Sequence, residues 1–224
     1  YGSDFTIYDQ DDSLRLIKQS MRSLSIDEKK YNPKAIQAYI SGAKGELLDA
    51  KKYKLFAFDH FQEKVSQVYF VYERSLKQHN AMDFDDLIAN TVLLLKNNPS
   101  VLSSYQDRFK YILVDEYQDT NHSQYSLLKL LSNKHKNIFA IGDDWQSIYS
   151  FRGAKFQNIL DFKKDYPEAK IIYLEENYRS KAPILEAAQA VIKKNELRSD
   201  KNLYTKNTGG SPVIVLGSPT KDEE

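Results

Sequence analysis

The sequence predicts an α/β protein in which a parallel sheet is preceded by an α-helical subdomain. Three observations carry this expectation. Through roughly the first hundred positions apolar residues recur every three or four residues; after Phe109 they gather into short runs separated by helical segments; and each run leads directly into polar or acidic residues. At 224 residues, 41% hydrophobic and 28% charged, the chain is large and apolar enough for one or two domains with a real core. Its 32 Lys and Arg stand against 31 Asp and Glu, so the +1 balance does not by itself argue for a nucleic-acid partner. The absence of cysteine excludes disulfides, thiolate zinc sites and a Cys nucleophile, and fits a reducing compartment. No apolar run approaches the ~20 residues needed to cross a bilayer. Tyr1 opens the chain with no Met, no basic-then-apolar leader and no cleavage signature, so no signal peptide is visible and the chain reads as an excised piece.

The elements follow in order. Asp11 and Asp12 are expected to cap a helix whose Leu14, Ile17, Met21 and Leu24 form one buried stripe. Asn32 and Pro33 begin a second, with Pro in the first turn and Ile36, Tyr39 and Ile40 on its apolar side. From Phe58 the residues Phe61, Val65, Val68, Tyr69, Tyr72 and Leu76 keep the 3-4 step of a long amphipathic helix that ends at His79-Asn80. Asp83 then starts another, carried by Phe84, Leu87, Ile88, Val92 and Leu95, which stops near Asn97-Asn98-Pro99. Residues 111–114, 138–141 and 171–174 are compact apolar runs expected as buried strands, joined by helices over 123–131 and 154–162 in a βαβαβ order. A further helix is expected over 183–194, and a short strand over 213–216 after Gly209-Gly210.

Ligands of such sheets sit beyond the carboxyl ends of the strands, which makes the residues after each run the place to look for chemistry. Asp115-Glu116 follows the first run: one carboxylate can hold hydrated Mg²⁺ while its neighbour polarises a water. Alone, such a pair is as readily a helix cap or a solvated loop. The second run leads into Gly142-Asp143-Asp144-Trp145-Gln146-Ser147-Ile148-Tyr149-Ser150-Phe151-Arg152-Gly153, and the third into Glu175-Glu176-Asn177-Tyr178-Arg179-Ser180. Tyr149 and Phe151, one residue apart, offer ring faces on one side of an extended segment; core packing is the competing explanation for both.

These three segments, in this order and spacing, resemble the Walker B segment, motif III and motif IV of the UvrD/Rep/PcrA family of superfamily 1 DNA helicases. The likeness covers nearly the whole chain. The helical first half and Asp83-Phe84-Asp85-Asp86-Leu87 look like subdomain 1B returning into 1A. Trp145, where many relatives carry Asp, and Phe151, where they carry Trp, depart from the commonest pattern. The resemblance implies a P-loop NTPase (RecA-like) sheet, incomplete here, with residues 1–82 as the helical subdomain, 83–175 as the C-terminal part of 1A, and 176–224 as motif IV and the start of 2A. It implies ATP and Mg²⁺ as cofactors, with the three strand ends addressing one triphosphate. Asp115 would hold Mg²⁺ through its water shell with Glu116 beside it, and Glu116 would be the general base. Gln146 would sense the γ-phosphate, Arg179 would meet the developing phosphoryl charge, and Tyr178 would stack on adenine. Tyr149, Phe151 and Arg152 would contact DNA, as single strand and at the single-strand/duplex junction.

No stretch reads Gly-x-x-x-x-Gly-Lys-Ser/Thr, and Gly42-Ala43-Lys44-Gly45 lies inside a predicted helix. The polypeptide by itself is therefore expected to be without ATPase or unwinding activity, and to keep an exposed strand edge that promotes self-association or displaces the 213–216 strand. The resulting expectation is a piece of a cytoplasmic, ATP-dependent 3′ to 5′ DNA helicase of repair or replication with no membrane partner. Two alternatives stay open: the helicase part of a helicase-nuclease repair complex, and a non-catalytic DNA-binding scaffold with the same fold. The four histidines, His60, His79, His122 and His135, show no metal-ligand spacing and receive no role.

Overall fold

The computed structural model describes residues 1–150, 153–196, 198–215 and 217. The chain divides into two compact units, residues 1–143 with 147–159, and residues 144–146 with 160–224.

In the first unit, strand β1 (Thr6–Tyr8) leads into helix α1 (Gln10–Ser23). The cap is Asp9, earlier than the sequence indicates. Its side chain accepts from the Asp11 and Asp12 amides, and the Asp12 side chain returns to the Asp9 backbone. Asp11 and Asp12 instead fill the first turn, where the positive end of the helix dipole favours acids. Helix α2 (Pro33–Gly45) begins as expected, with Asn32 accepting from the Lys34 amide at 2.9 Å. Asn32→Ala should cost about 1 kcal/mol and lower the melting midpoint by ~2–4 °C, a shift thermal denaturation resolves. An unchanged midpoint would mean that packing alone sets the start of α2.

After the short helix α3 (Ala50–Lys54) comes α4 (His60–Gln78), capped by Asp59 and closed at His79. Val65, Val68, Tyr69, Tyr72 and Leu76 are each at most 1% exposed, so the predicted stripe is the inner face of the helix. Burial of side chains of this size contributes about 1.5–3 kcal/mol apiece. Ile17 and Met21 of α1 and Ile36 and Ile40 of α2 belong to the same core. Strand β2 (Ala81–Asp83) pairs in parallel with β1, Thr6 opposite Ala81 and Tyr8 opposite Asp83. Helix α5 (Phe84–Asn97) is capped by Asp83 with Asp86 reciprocating, and α6 (Pro99–Arg108) follows.

One ion cluster is buried where α2, β2 and α5 meet. Lys44 Nζ lies 2.6 Å from Asp83 Oδ2 and 2.7 Å from Asp86 Oδ1, and the Tyr72 hydroxyl donates to Asp83 Oδ2 at 2.9 Å. The Lys44 side chain is 3% exposed. Burial alone would lower its pKa, but Asp83 and Asp86 outweigh burial and hold it above the ordinary lysine value.

The α/β part is built on β3 (Ile112–Val114) and β4 (Ile138–Ala140), paired in parallel with Ile112 opposite Ile138, and joined by α7 (His122–Ser132). The βαβ unit and its parallel direction agree with the sequence. Burial of the strands does not. Leu113 is 74% and Phe139 59% exposed, because the ladder has two strands among the described residues and only alternate side chains are covered. The third expected strand is absent: residues 171–174 are irregular and exposed, and backbone pairing begins only at Glu175, whose carbonyl accepts from the Tyr204 amide at 3.0 Å. An apolar run becomes a strand only where a neighbouring edge takes its amides, and at 171–174 none does among the described residues. Residues 213–215 likewise form no strand and are exposed, and residue 216 lies outside the described residues. The single helix expected over 154–162 is two short ones, α8 (Gln157–Leu160) and α9 (Phe162–Asp165). Helix α10 (Ala182–Ile192), with Pro183 in its first turn, completes the second unit.

Candidate active site

Asp115 and Glu116 stand together at the carboxyl end of β3, as the sequence requires, and both are exposed. Glu116 is in the left-handed region at φ 49°, a conformation that costs about 1–3 kcal/mol for a side chain other than Gly. Its amide donates to Asp115 Oδ1 at 2.9 Å, which ties the two acids into one turn. A 3₁₀ turn over Tyr117–Asp119 follows, pinned by the Tyr117 amide donating to the Ile141 carbonyl at 2.9 Å. Beside the pair lies a cavity of about 350 Å³ lined by Val114, Asp115, Glu116, Asp119, Thr120, Gln124, Leu127 and Leu128. Val114, Leu127 and Leu128 give the cavity an apolar wall, while the two acids themselves face solvent.

Two neighbours escaped notice in the sequence although they stand in the same string of residues. Gln118 is 1% exposed and donates from Nε2 to Glu116 Oε2 at 2.8 Å. Asp119 lines the cavity with a buried Oδ1 that has no hydrogen-bond partner among the described residues. Burial, then the charge of Glu116, pushes the Asp119 carboxyl up from its ordinary value.

Tyr149 also belongs to the first unit and is 37% exposed. The Gly153 amide donates to the Ser150 carbonyl at 2.9 Å and the Ala154 amide to the Tyr149 carbonyl at 3.3 Å, with Gly153 at φ 82°. Only a residue without Cβ takes that backbone easily. Phe151 and Arg152 lie outside the described residues.

The remaining candidates are in the second unit. Gln146 is exposed and closes a 3₁₀ turn over Asp144–Gln146. Asp144 anchors that turn, accepting from the Ser199 amide and hydroxyl, both at 2.6 Å, and from Lys201 at 3.0 Å. Burial alone would raise the Asp144 carboxyl, but Ser199 and Lys201 outweigh it and hold it below the usual carboxylate range. Its contribution to stability is therefore present above the unfolded-state value and is lost as pH falls through the depressed one. Tyr178 is 79% exposed and its hydroxyl donates to Glu176 Oε2 at 3.1 Å. Asn177 Oδ1 accepts from the amides of Arg179 and Ser180 at 3.1 and 2.7 Å, setting an Asx turn from which the Arg179 side chain stands exposed.

A parallel βαβ unit with an acid pair at a strand end, beside a cavity, is an α/β arrangement of the kind that places ligands beyond the carboxyl ends of its strands. The comparisons narrow this class. Residues 1–167 match the model of the UvrD/REP helicase N-terminal domain, and residues 172–224 that of the UvrD-like helicase C-terminal domain. The chain belongs to the UvrD/REP helicase family. It is 47% identical over 221 residues to the ATP-dependent DNA helicase PcrA of Staphylococcus aureus (strain Mu50), and equally to that of Staphylococcus epidermidis. In each case the match covers 99% of this chain and 30% of the relative, so the chain spans about 30% of the length of those curated relatives.

Proposed function

We propose that this chain is part of an ATP-dependent DNA helicase that couples ATP hydrolysis to 3′ to 5′ movement along a single strand and to duplex unwinding in repair or replication. The observation that carries the reading is the acid pair at the open end of β3, with Glu116 held by its backbone and by Gln118, in a chain that matches helicase family models almost end to end. Glu116 takes the proton of the attacking water, whose oxygen bonds the γ-phosphorus as the bond to the bridging oxygen breaks and ADP leaves. Asp115 offers hard, exposed oxygen donors beside the cavity, the donor type that suits hydrated Mg²⁺. The metal's contribution there is neutralisation of phosphate charge. Gln146 is assigned to the γ-phosphate, Arg179 to the charge that develops in transfer, and Tyr178 to stacking on adenine. Tyr149, Phe151 and Arg152 are assigned to DNA, stacking contributing ~1–3 kcal/mol per base without sequence preference. Single-stranded DNA and the single-strand/duplex junction are the partners assigned, and the cytoplasm the working compartment. Among the described residues no helix is long and apolar enough to cross a membrane.

The test is ATP hydrolysis by the full-length protein with and without single-stranded DNA, followed by strand separation of duplexes with a 3′ or a 5′ tail. Hydrolysis that DNA does not stimulate would overturn the reading. The 224-residue polypeptide, which contains no Gly-x-x-x-x-Gly-Lys-Ser/Thr stretch, is expected to turn over no ATP by itself. It is also expected to self-associate, because Leu113, Phe139 and Ile141 are exposed along a two-stranded ladder. Sedimentation at rising concentration checks this, and a monomer throughout would refute it.

A further inference from the structure

Gln118 lies beside an exposed carboxylate yet is 1% exposed itself, and both ends of its amide are committed. Nε2 donates to Glu116 Oε2 at 2.8 Å and lies 3.4 Å from Asp119 Oδ2, while Oε1 accepts from the Asp143 amide at 2.9 Å. Burying an amide is unfavourable unless such bonds are made, so a residue serving only to fill this space would be apolar. The backbone is arranged around the side chain. The Ile141 amide donates to the Val114 carbonyl at 2.8 Å and the Tyr117 amide to the Ile141 carbonyl at 2.9 Å, which carries the pairing of β3 and β4 past their ends to the point where Gln118 takes over. At Gly142 an added Cβ would lie 2.7 Å from Gln118 Oε1 and 2.7 Å from Ile159 Cδ1, so only glycine admits the amide this closely.

We propose that Gln118 is a positioning residue for Glu116. Its amide locks the carboxylate in one rotamer and ties that rotamer to the backbone of Gly142 and Asp143, the start of the segment that carries Gln146 three residues further along the chain. With Oε2 engaged by the amide, Oε1 is the oxygen that takes the proton from water. A shift of the 142–143 backbone is thereby felt at the base, which gives motif III a direct mechanical hold on hydrolysis. The inference rests on the reading of Glu116 as general base.

The experiment uses the full-length protein at saturating single-stranded DNA. Gln118→Met keeps the length of the side chain and removes all three of its hydrogen bonds. It is expected to lower kcat for ATP hydrolysis by about 10- to 100-fold, with KM for ATP and the half-saturating DNA concentration within about twofold of wild type. In a Glu116→Gln background the same change should add less than about twofold, because the residue acts through a carboxylate already disabled. A residue needed only for folding would multiply its effect in both backgrounds. An unchanged kcat in Gln118→Met, or full multiplication in the double variant, overturns the inference. Wild-type hydrolysis by Glu116→Gln alone overturns the reading of the base instead, which keeps the two failures apart. Should Gln118→Met not fold, Gly142→Ala disturbs the same amide from the opposite side. The same kcat loss there supports the role, and its absence refutes it.

Discussion

Exchange of Glu116 for Gln in the full-length protein is expected to lower DNA-stimulated ATP hydrolysis by roughly 10²- to 10⁴-fold, the range associated with loss of a general base. The substitution is nearly isosteric and keeps an acceptor for Gln118 Nε2, which donates to Glu116 Oε2 at 2.8 Å in the native site, so the turn at φ 49° should persist. ATP affinity and DNA affinity are accordingly expected to stay within a few-fold of wild type, placing the loss in kcat rather than in KM. Single-turnover hydrolysis with prebound ATP separates the two. A variant that hydrolyses at a third or more of the native rate would assign the proton to another group. Asp115 is not expected to substitute, because its Oδ1 is committed to the Glu116 amide at 2.9 Å; Asp119, which lines the same cavity, is the acid to which a surviving rate would point.

Lys44→Met should be the most destabilising single change in the helical part of the chain, by about 3–5 kcal/mol, because it leaves Asp83 and Asp86 buried without their counter-charge. With ~2–4 °C per kcal/mol for a chain of this size, the melting midpoint falls on the order of 10 °C. The pH dependence follows from the directions of the shifts. Lys44 is held above the ordinary lysine value, so the stability it confers is complete through neutral pH and is lost only as pH rises through that raised value. Asp86 is pushed up by burial, with Lys44 opposing; its protonated form is favoured by the fold below the unfolded-state value, and that advantage is lost as pH rises through the folded value. Removing Lys44 removes the opposing charge, so Asp86 takes up a proton more readily in the variant and relieves it in acid. The stability gap between variant and native chain should therefore be widest near neutrality and narrow as pH approaches the carboxylate range. Urea denaturation at pH 7 and pH 5 measures it. A gap under about 1 kcal/mol at pH 7, or one that widens in acid, would show the cluster to be hydrated rather than buried.

Lys44 also marks where reading the sequence stops. A lysine near the end of an amphipathic helix is ordinarily solvated, and nothing within α2 distinguishes this one; its partners come 39 and 42 positions later, as the numbering of Asp83 and Asp86 shows. Strand β1 was invisible for a related reason. Three residues are too few for an alternation to register, and Thr6–Tyr8 is a strand because Ala81–Asp83 returns alongside it. The run at 171–174 fails in the opposite sense, apolar enough for a strand but without an edge to bind among the described residues. By contrast, the stripe of α4 was readable because helical periodicity is a local property repeated over five turns, and each repeat reports the same buried face. The acid pair was readable because a strand end and its next two residues are contiguous.

Short-range chemistry, then, was enough to settle the longer helices α1, α2, α4, α5, α7 and α10, their polar caps within a residue or two, the parallel βαβ unit and the family resemblance that Asp115, Glu116, Gln146, Tyr178 and Arg179 carry, but not α3, α6 or the break between α8 and α9. Long-range packing alone settled which charges are buried, which apolar runs find an edge, and that the Gln118 amide is fixed by the Asp143 backbone 25 positions later. Periodicity and capping depend on neighbours a few residues away, whereas burial and strand pairing depend on residues whose separation along the chain carries no mark in either partner.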